Sequence, residues 1–323
     1  MKKDLYILGV DGGGSSTEGI IFNKNGKPLV KLKTHGTNLY VSKQKAVKSI
    51  AKLIIDLSEK ISIDISQISA FGFGLSGVSD LDSRDLLLKE LDKMQIASKS
   101  IILSDTESAY QLLCPAGQGL LISIGTGIVC MGRNSERKSF KIAGKGYDKG
   151  DIGSGYWIGK KSVKTVLLNQ SILSVDDEMK ALFICIKKIL KINDIGSLEN
   201  SFGNEEELVC KTASLAKEII RLASKGNDVA LSIIQEGTRH VAEYILFLIE
   251  EMCYDKEKVI LAGNGSIIKN DFYRKLLNDA LQFDIGELSW VFSDISCAYS
   301  SGIIAAKCDK INISINDVLK YLN

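Results

Sequence analysis

The sequence predicts an α/β protein built from two similar domains, each with a mixed five-stranded sheet flanked by helices. The chain opens with short apolar segments joined by turn residues, and it then changes to helices alternating with strands. The second half begins this order again, which indicates a duplicated architecture. The predicted strands lie at residues 5–10, 18–22, 28–34, 68–74 and 101–104, and again at 119–124, 128–134, 140–144, 258–262 and 288–292.

The domain boundary is predicted at residues 114–117. This segment holds one of only two prolines and separates two periodic stretches. A chain of 323 residues also exceeds the usual size of one domain. We therefore expect an N-terminal domain over residues 1–116 and a C-terminal domain over 117–323, with a final helix at 316–322 as a candidate to pack back onto the first. Helical insertions of the second domain are predicted at 154–173, 178–190, 205–224 and 229–253.

The composition indicates a protein that acts on small molecules. The 41 basic and 39 acidic residues nearly cancel, so electrostatic binding of nucleic acid is not indicated. Seven scattered cysteines never form a CxxC pair, which favours reduced thiols over metal ligands or disulfides. The N-terminus lacks a secretion signal, and no run of about eighteen apolar residues follows. We expect a cytoplasmic protein with neither a nucleic-acid nor a membrane partner.

Two glycine-rich turns are candidate phosphate-binding loops. Residues 11–17 and residues 123–127 each lie between two predicted strands, at matching points of the two halves. Glycines there would let backbone N–H groups approach an anion, and two such turns could hold a triphosphate from opposite sides of a cleft. Asp11 would bind Mg²⁺ through water. The alternative for residues 11–17 is a glycine-rich hairpin with a solvated aspartate.

Asp105 is the candidate catalytic residue. It follows a predicted strand and begins a helix, and ligands of open α/β sheets bind at the carboxyl ends of strands. Only two histidines occur, so a general base would have to be a carboxylate. The alternative is that Asp105 simply caps its helix.

The motifs resemble, in order and over nearly the whole chain, those of the N-acetylglucosamine kinase and BadF/BadG/BcrA/BcrD ATPase family, within the actin and hexokinase superfamily. The matching segments are residues 9–14, 36–38, 74–77, 104–105, 125–127, 150–159 and 261–266. The resemblance implies duplicated ribonuclease H-like domains of the actin/hexokinase type with an interdomain cleft, and ATP and Mg²⁺ as cofactors.

The resemblance also assigns the site residues. Nucleotide binding is expected from Asp11, Gly13, Gly14, Ser15, Thr17, Gly125, Thr126, Gly127, Gly263, Asn264 and Gly265. Sugar binding is expected from Thr37, Asn38, Ser76, Gly77, Asp105, Gly144, Lys145 and Asp151. Asp105 is expected to accept the proton of the sugar O6 hydroxyl. For Asp151, the alternative to a sugar contact is another helix N-cap.

Two departures from the family pattern bear on the sugar. Lys145 replaces the tryptophan of a GGWG motif, and Ile152 replaces the glutamate of GDEG. We expect N-acetylglucosamine as the acceptor, with glucosamine and N-acetylmuramic acid as the alternatives that these departures leave open. The sequence also leaves open whether the protein forms a homodimer. A rival within the family is an ATPase that activates a 2-hydroxyacyl-CoA dehydratase or benzoyl-CoA reductase, and a second rival is a non-catalytic sugar-sensing regulator.

Overall fold

The computed structural model describes residues 5–147, 149–201 and 206–322. Within this part of the chain the strands form two five-stranded sheets. The first contains β1 (Tyr6–Gly12), β2 (Ser16–Asn23), β3 (Pro28–His35), β4 (Ile68–Leu75) and β5 (Ser100–Ser104), in the order β3-β2-β1-β4-β5. β1, β2 and β3 are antiparallel neighbours, and β4 and β5 run parallel to β1.

The second sheet repeats this plan. It contains β6 (Gly119–Ile124), β7 (Ile128–Arg133), β8 (Ser139–Ala143), β9 (Lys258–Asn264) and β10 (Glu287–Val291), in the order β10-β9-β6-β7-β8. β6, β7 and β8 are antiparallel, and β9 and β10 run parallel to β6. The predicted duplicated α/β architecture is therefore confirmed.

Helices connect and flank the strands. They are α1 (Lys43–Lys60), α2 (Leu81–Lys93), α3 (Asp105–Leu113), α4 (Gly155–Leu168), α5 (Asp177–Leu190), α6 (Glu206–Ser224), α7 (Asp228–Glu251), α8 (Asp271–Leu281), α9 (Cys297–Cys308) and α10 (Ile315–Leu319). Side-chain caps begin several of them; Asp80, for example, accepts the N–H of Ser83 at the start of α2. The predicted start of α6 at Glu205 lies outside the described residues.

The chain divides into two compact units that differ from the predicted domains. The first unit combines Met1–Leu112 with Ser293–Asn323, and the second is Leu113–Phe292. Close packing explains why the C-terminal segment belongs to the first unit. An added Cβ at Gly9 of β1 would lie 1.8 Å from the carbonyl oxygen of Ala298 in α9, so only glycine lets this helix approach the sheet.

Each unit has its own apolar core. In the first unit α1 and α2 cover one face of the sheet, and α9 and α10 cover the other, where Ile7 and Val318 share a cluster. In the second unit β6, β7 and β9 form one core with the inserted helices α4 to α7 and with α8. Among the described residues no helix combines the length and apolar character needed to cross a membrane.

Candidate functional site

The first glycine-rich turn closes the hairpin of β1 and β2. Gly12 pairs with Thr17, and the N–H of Gly13 donates to the carbonyl oxygen of Ser16 at 3.0 Å. Because this N–H is already bonded within the turn, the predicted contact of Gly13 with phosphate would be a close approach of its backbone to the phosphate and not a hydrogen bond from its N–H. An added Cβ at Gly13 would lie 3.5 Å from the Ser16 oxygen, which is ordinary contact, so packing does not require glycine here.

The two predicted sugar segments of the first unit lie beside this turn. The N–H of Thr37 donates to the carbonyl oxygen of Gly13 at 3.1 Å, and the N–H of Ser76 donates to that of Gly12 at 2.7 Å. Gly77 has a φ of +82°, and an added Cβ would lie 2.6 Å from Oδ1 of Asn38. These backbone bonds bring Asn38, Ser76 and Gly77 together with the turn.

Two predicted ligand contacts have an internal role in the structure. Thr17 and Thr37 are each 0% exposed, and their hydroxyl oxygens lie 2.7 Å apart in a hydrogen bond. Their side chains therefore tie the turn to the segment at residues 36–38. We assign both threonines a positioning role.

Asp105 begins α3 directly after β5, at the carboxyl end of that strand. The capping bonds of α3 are made by its neighbours. The hydroxyl of Ser104 accepts the N–H of Glu107 at 3.1 Å, and the carboxylate of Glu107 accepts the N–H of Ser104 at 3.0 Å, as in a capping box. The carboxylate of Asp105 accepts the N–H of Thr106 at 2.8 Å. The helix thus has a cap without Asp105.

Asp11 lies in a charged row that crosses three strands. In the register of the sheet Asp11 faces Glu18 of β2, and Glu18 faces Lys33 of β3. Burial raises the pKa of Asp11 to about 7, repulsion from the carboxylates of Asp105 and Glu18 adds to the rise, and Lys33 opposes it. Asp11 and Asp105 therefore act on each other electrostatically.

This excess of negative charge fits a divalent cation. The described residues contain no group of three or more His, Cys, Asp or Glu side chains that could hold a metal ion. Mg²⁺ commonly takes only one or two carboxylates and completes its shell with water and phosphate oxygens. The predicted water-mediated Mg²⁺ contact of Asp11 thus agrees with the electrostatics.

The second glycine-rich turn joins β6 to β7 and is bonded to the start of α4. The N–H groups of Gly155 and Tyr156 donate to the carbonyl oxygens of Gly125 and Thr126 at 2.8 and 3.0 Å. Within the turn, the N–H of Gly125 donates to the carbonyl oxygen of Gly127 at 2.9 Å. An added Cβ at Gly125 would meet no described atom within 4 Å, so packing does not explain this glycine.

The predicted adenosine segment lies against the same turn. The amide of Asn264 donates to the hydroxyl of Ser123 at 3.2 Å. Gly265 has a φ of +93°, and an added Cβ would lie 2.3 Å from the carbonyl oxygen of Ile124. At Gly263 an added Cβ would lie 2.2 Å from the ring of Phe292. Packing within the unit thus accounts for both glycines.

Asp151 is buried beneath the turn that carries Lys145. Ser154, and not Asp151, caps α4, since its side chain accepts the N–H of Trp157. Burial raises the pKa of Asp151, whereas hydrogen bonds from backbone N–H groups lower it. The N–H of Lys145 donates to Oδ1 of Asp151 at 3.2 Å. The side chain of Lys145 is exposed.

Sequence reasoning missed Glu18 and Lys33. Both lie on predicted strands with no glycine motif, and neither matches a segment of the family pattern. The hairpin register was the available signal, because a β1–β2 turn at residues 13–15 places Glu18 opposite Asp11. Phe292 was missed for another reason: it is the last residue of the second unit and reaches Gly263 only through the tertiary structure.

A family model now decides the relationship of the chain, since it matches residues 8–303. The chain belongs to the BadF/BadG/BcrA/BcrD ATPase family. Among curated relatives in sequence is the N-acetylmuramic acid/N-acetylglucosamine kinase of Clostridium acetobutylicum, 28% identical over 84% of this chain and 90% of the relative. Another is the N-acetyl-D-glucosamine kinase of Dictyostelium discoideum, 26% identical over 89% of this chain and 92% of the relative.

A solved structure of similar fold is that of a Porphyromonas gingivalis protein proposed to be an N-acetylglucosamine kinase. It superposes with a TM-score of 0.69 over 94% of this chain and 99% of its own, at 18% identity. At that identity the likeness shows the fold alone. Together with the duplicated sheet order, it confirms the predicted fold class.

Proposed function

We propose that this chain is an ATP-dependent kinase that phosphorylates an amino sugar at its O6 hydroxyl. The observation that carries the proposal is the position of Asp105, a strand-end carboxylate that its helix does not need as a cap. The family membership and the amino-sugar kinases among its relatives support ATP and an amino sugar as substrates.

In this mechanism the backbone turns bind the nucleotide. The residues proposed to approach the phosphates are Gly13, Gly14, Ser15, Gly125, Thr126 and Gly127. Protein packing does not require glycine at Gly13 or Gly125, since an added Cβ would fit at both positions. This supports the proposal, because glycine at these positions would allow a ligand to approach the backbone closely. Asn264, with Gly263 and Gly265 beside it, would line the adenosine.

Asn38, Ser76, Gly77, Gly144 and Lys145 are proposed to orient the sugar. Asp105 would accept the proton of the O6 hydroxyl as that oxygen attacks the terminal phosphorus of ATP. Asp11 would hold Mg²⁺ through water, and the bound ion would neutralise charge on the transferring phosphoryl group. A cytoplasmic location and a homodimer stay predictions.

A sugar panel tests the proposal directly. The protein is incubated with ATP, Mg²⁺ and N-acetylglucosamine, glucosamine, N-acetylmuramic acid or glucose, and ADP release is measured against a control without sugar. We expect faster turnover with at least one amino sugar than with glucose, and a 6-phosphate by NMR of the product. ATP hydrolysis that no sugar stimulates would contradict a kinase and would favour an ATPase activator.

A further inference from the structure

The turn of residues 151–154 precedes α4 and packs closely against α7. The N–H of Ser154 donates to the carbonyl oxygen of Asp151 at 3.1 Å, which closes the turn. Gly153 within it has a φ of +89°, and an added Cβ there would lie 2.9 Å from the carbonyl oxygen of Gly237 in α7. An added Cβ at Gly237 would in turn lie 3.2 Å from the Cα of Gly153. Glycine on both sides thus lets the turn approach the helix.

A buried tyrosine of α8 bonds to the same turn. Tyr273 is 0% exposed, and its hydroxyl donates to the carbonyl oxygen of Gly153 at 2.9 Å. Burial raises the pKa of Tyr273, so the hydroxyl keeps its proton and stays a donor. Buried hydroxyls in proteins normally have a hydrogen-bond partner, and the carbonyl of Gly153 is the partner here.

The backbone of Tyr273 is fixed close to the predicted adenosine segment. Its N–H donates at 3.0 Å to Oδ1 of Asn270, the N-cap of α8. The N–H of Ile267, three residues before that cap, donates at 3.1 Å to the carbonyl oxygen of Ile124, the last residue of β6. The start of α8 is therefore tied to the sheet, and the Tyr273 hydroxyl gives the turn of residues 151–154 a fixed point.

The turn of residues 151–154 also holds a residue that is proposed to orient the sugar. The carboxylate of Asp151 is buried, and its Oδ1 accepts the N–H of Lys145 at 3.2 Å. The family resemblance predicts that Asp151 itself contacts the sugar as well. A displacement of the turn would therefore move both this carboxylate and the backbone of Lys145.

Gly153 gives the turn little stiffness of its own. Glycine adopts many backbone conformations at no steric cost, so the shape of the turn depends on its contacts. Without the tyrosine hydroxyl, the buried carbonyl of Gly153 would lose this donor and would be stabilised by turning toward another donor or toward water. A misplacement of about 1 Å in an enzyme site can lower turnover about a hundredfold.

We infer that Tyr273 is a positioning residue for the sugar, which acts by fixing the turn of residues 151–154 and is itself too buried to touch a substrate. The inference rests on the proposed function, because it takes this turn and Lys145 as part of a sugar site. Since α8 directly follows the predicted adenosine segment, one helix would then serve both substrates.

Tyr273→Phe tests the inference, because it removes the hydroxyl and keeps the ring. Both kcat and KM are measured for ATP and for the amino sugar that the wild-type protein phosphorylates fastest, and binding of a non-hydrolysable ATP analogue is measured by calorimetry. We expect kcat/KM for the sugar to fall by about tenfold or more, as expected when a buried acceptor loses its donor. Nucleotide affinity should change by less than about threefold, because the bond from Asn264 to Ser123 and that from Ile267 to Ile124 stay in place.

Ser162→Ala is the matched control in the same unit. Ser162 of α4 is also 0% exposed, and its hydroxyl donates to the carbonyl oxygen of Ile158 at 2.8 Å. Each variant removes one buried hydroxyl, so both should lower the melting temperature. Only Tyr273→Phe should impair the use of the sugar.

Gly237→Ala displaces the same turn without changing Tyr273. Its Cβ would press on the Cα of Gly153 from α7, so it should also lower kcat/KM for the sugar more than nucleotide affinity. This variant decides the test if Tyr273→Phe does not fold.

The outcomes distinguish positioning from a merely structural role. A folded Tyr273→Phe that uses the sugar as well as wild type does, or that loses sugar and nucleotide binding to the same extent, would overturn the inference and leave the proposed function standing. A wild-type protein that phosphorylates no sugar would overturn both.

Discussion

The two glycine-rich turns occupy equivalent positions in the two units, yet their surroundings differ. The β1–β2 turn lies near three carboxylates, those of Asp11, Glu18 and Asp105. The β6–β7 turn is bordered by backbone groups of α4 and of the segment after β9, with Asp151 buried below it. The duplicated sheet thus supplies two similar turns, and later segments of each unit determine what chemistry surrounds them.

The largest effect is expected for a substitution at Asp105. Such a variant distinguishes a role in proton transfer from a role in helix capping. Asp105→Asn should lower kcat by a factor of roughly 10² to 10⁴, or about 3 to 5 kcal/mol of barrier, since a positioned general base is lost. Nucleotide binding should persist. The measurement is kcat with the best sugar, alongside a melting curve; a folded variant that keeps more than about a tenth of wild-type kcat would exclude Asp105 as the base.

Asp11 should make the stability of the ligand-free protein depend on pH. Its pKa is raised from 3.8 to about 7 in the folded state, so its contribution is fully present below about pH 4 and is lost as pH rises through 7. Asp11→Asn should therefore be more stable than wild type at pH 8, by up to about 4 kcal/mol, and no more stable near pH 4.

Urea unfolding of both proteins at several pH values measures this difference. Asp85→Asn, at an exposed aspartate of α2, serves as the control and should change stability little. A constant difference between Asp11→Asn and wild type across the pH range would contradict the raised pKa.

The two turns should respond alike to a side chain placed where packing leaves room. Gly13→Val and Gly125→Val should fold normally and weaken nucleotide binding by about tenfold or more, because each side chain would meet the ligand. Sugar binding should change less. Gly265→Ala is the contrasting control, since its Cβ would collide with Ile124 and its positive φ adds strain, so it should lower stability.

Calorimetry with the ATP analogue and thermal melting of these three variants provide the comparison. Unchanged nucleotide affinity in both valine variants, with the fold intact, would remove the turns from the proposed nucleotide site.

The smallest effect is expected at Ser104, whose hydroxyl caps α3. Ser104→Ala should lower the free energy of unfolding by about 1 kcal/mol, because the N–H of Glu107 loses its acceptor. Turnover should remain near wild type. A large loss of kcat without loss of stability would show that Ser104 acts in the site itself, and the capping assignment would then be wrong.

The strands and the glycine turns were predictable because their signals are local. Alternating apolar residues and turn residues define β1 to β3 and their repeat at β6 to β8, and the sheet order confirms that plan. The sequence offered Asp105 and Asp151 as alternative helix caps, and it did not point to Ser104 or Ser154. Hydrogen bonds in the structure show that Ser104 caps α3 and that Ser154 caps α4.

The division of the chain was less predictable, because it depends on contacts between residues far apart in sequence. A breaker at residues 114–117 indicated where the first unit ends, but no local pattern shows that α9 returns to that unit. Its return depends on glycines in β1 and β4, where an added Cβ would overlap the backbone of α9. In the sequence alone, Gly9 and Gly72 look like ordinary strand residues, and only the position of α9 in the structure explains why they are glycines.

By itself, therefore, the sequence determined the repeated α/β order, the two glycine turns and the ordered motifs that identify the family. Each of these signals depends only on residues that are close together in the sequence. Only the tertiary structure decided which charges meet and which glycines serve packing. Burial raises the pKa of Asp11, and the carboxylates of Asp105 and Glu18 add to the rise once the strands are in register. The carboxylate of Asp151 accepts the N–H of Lys145, six residues before it in the chain, through the folding of the turn. Such effects depend on distances in space, and spacing along the chain does not specify those distances.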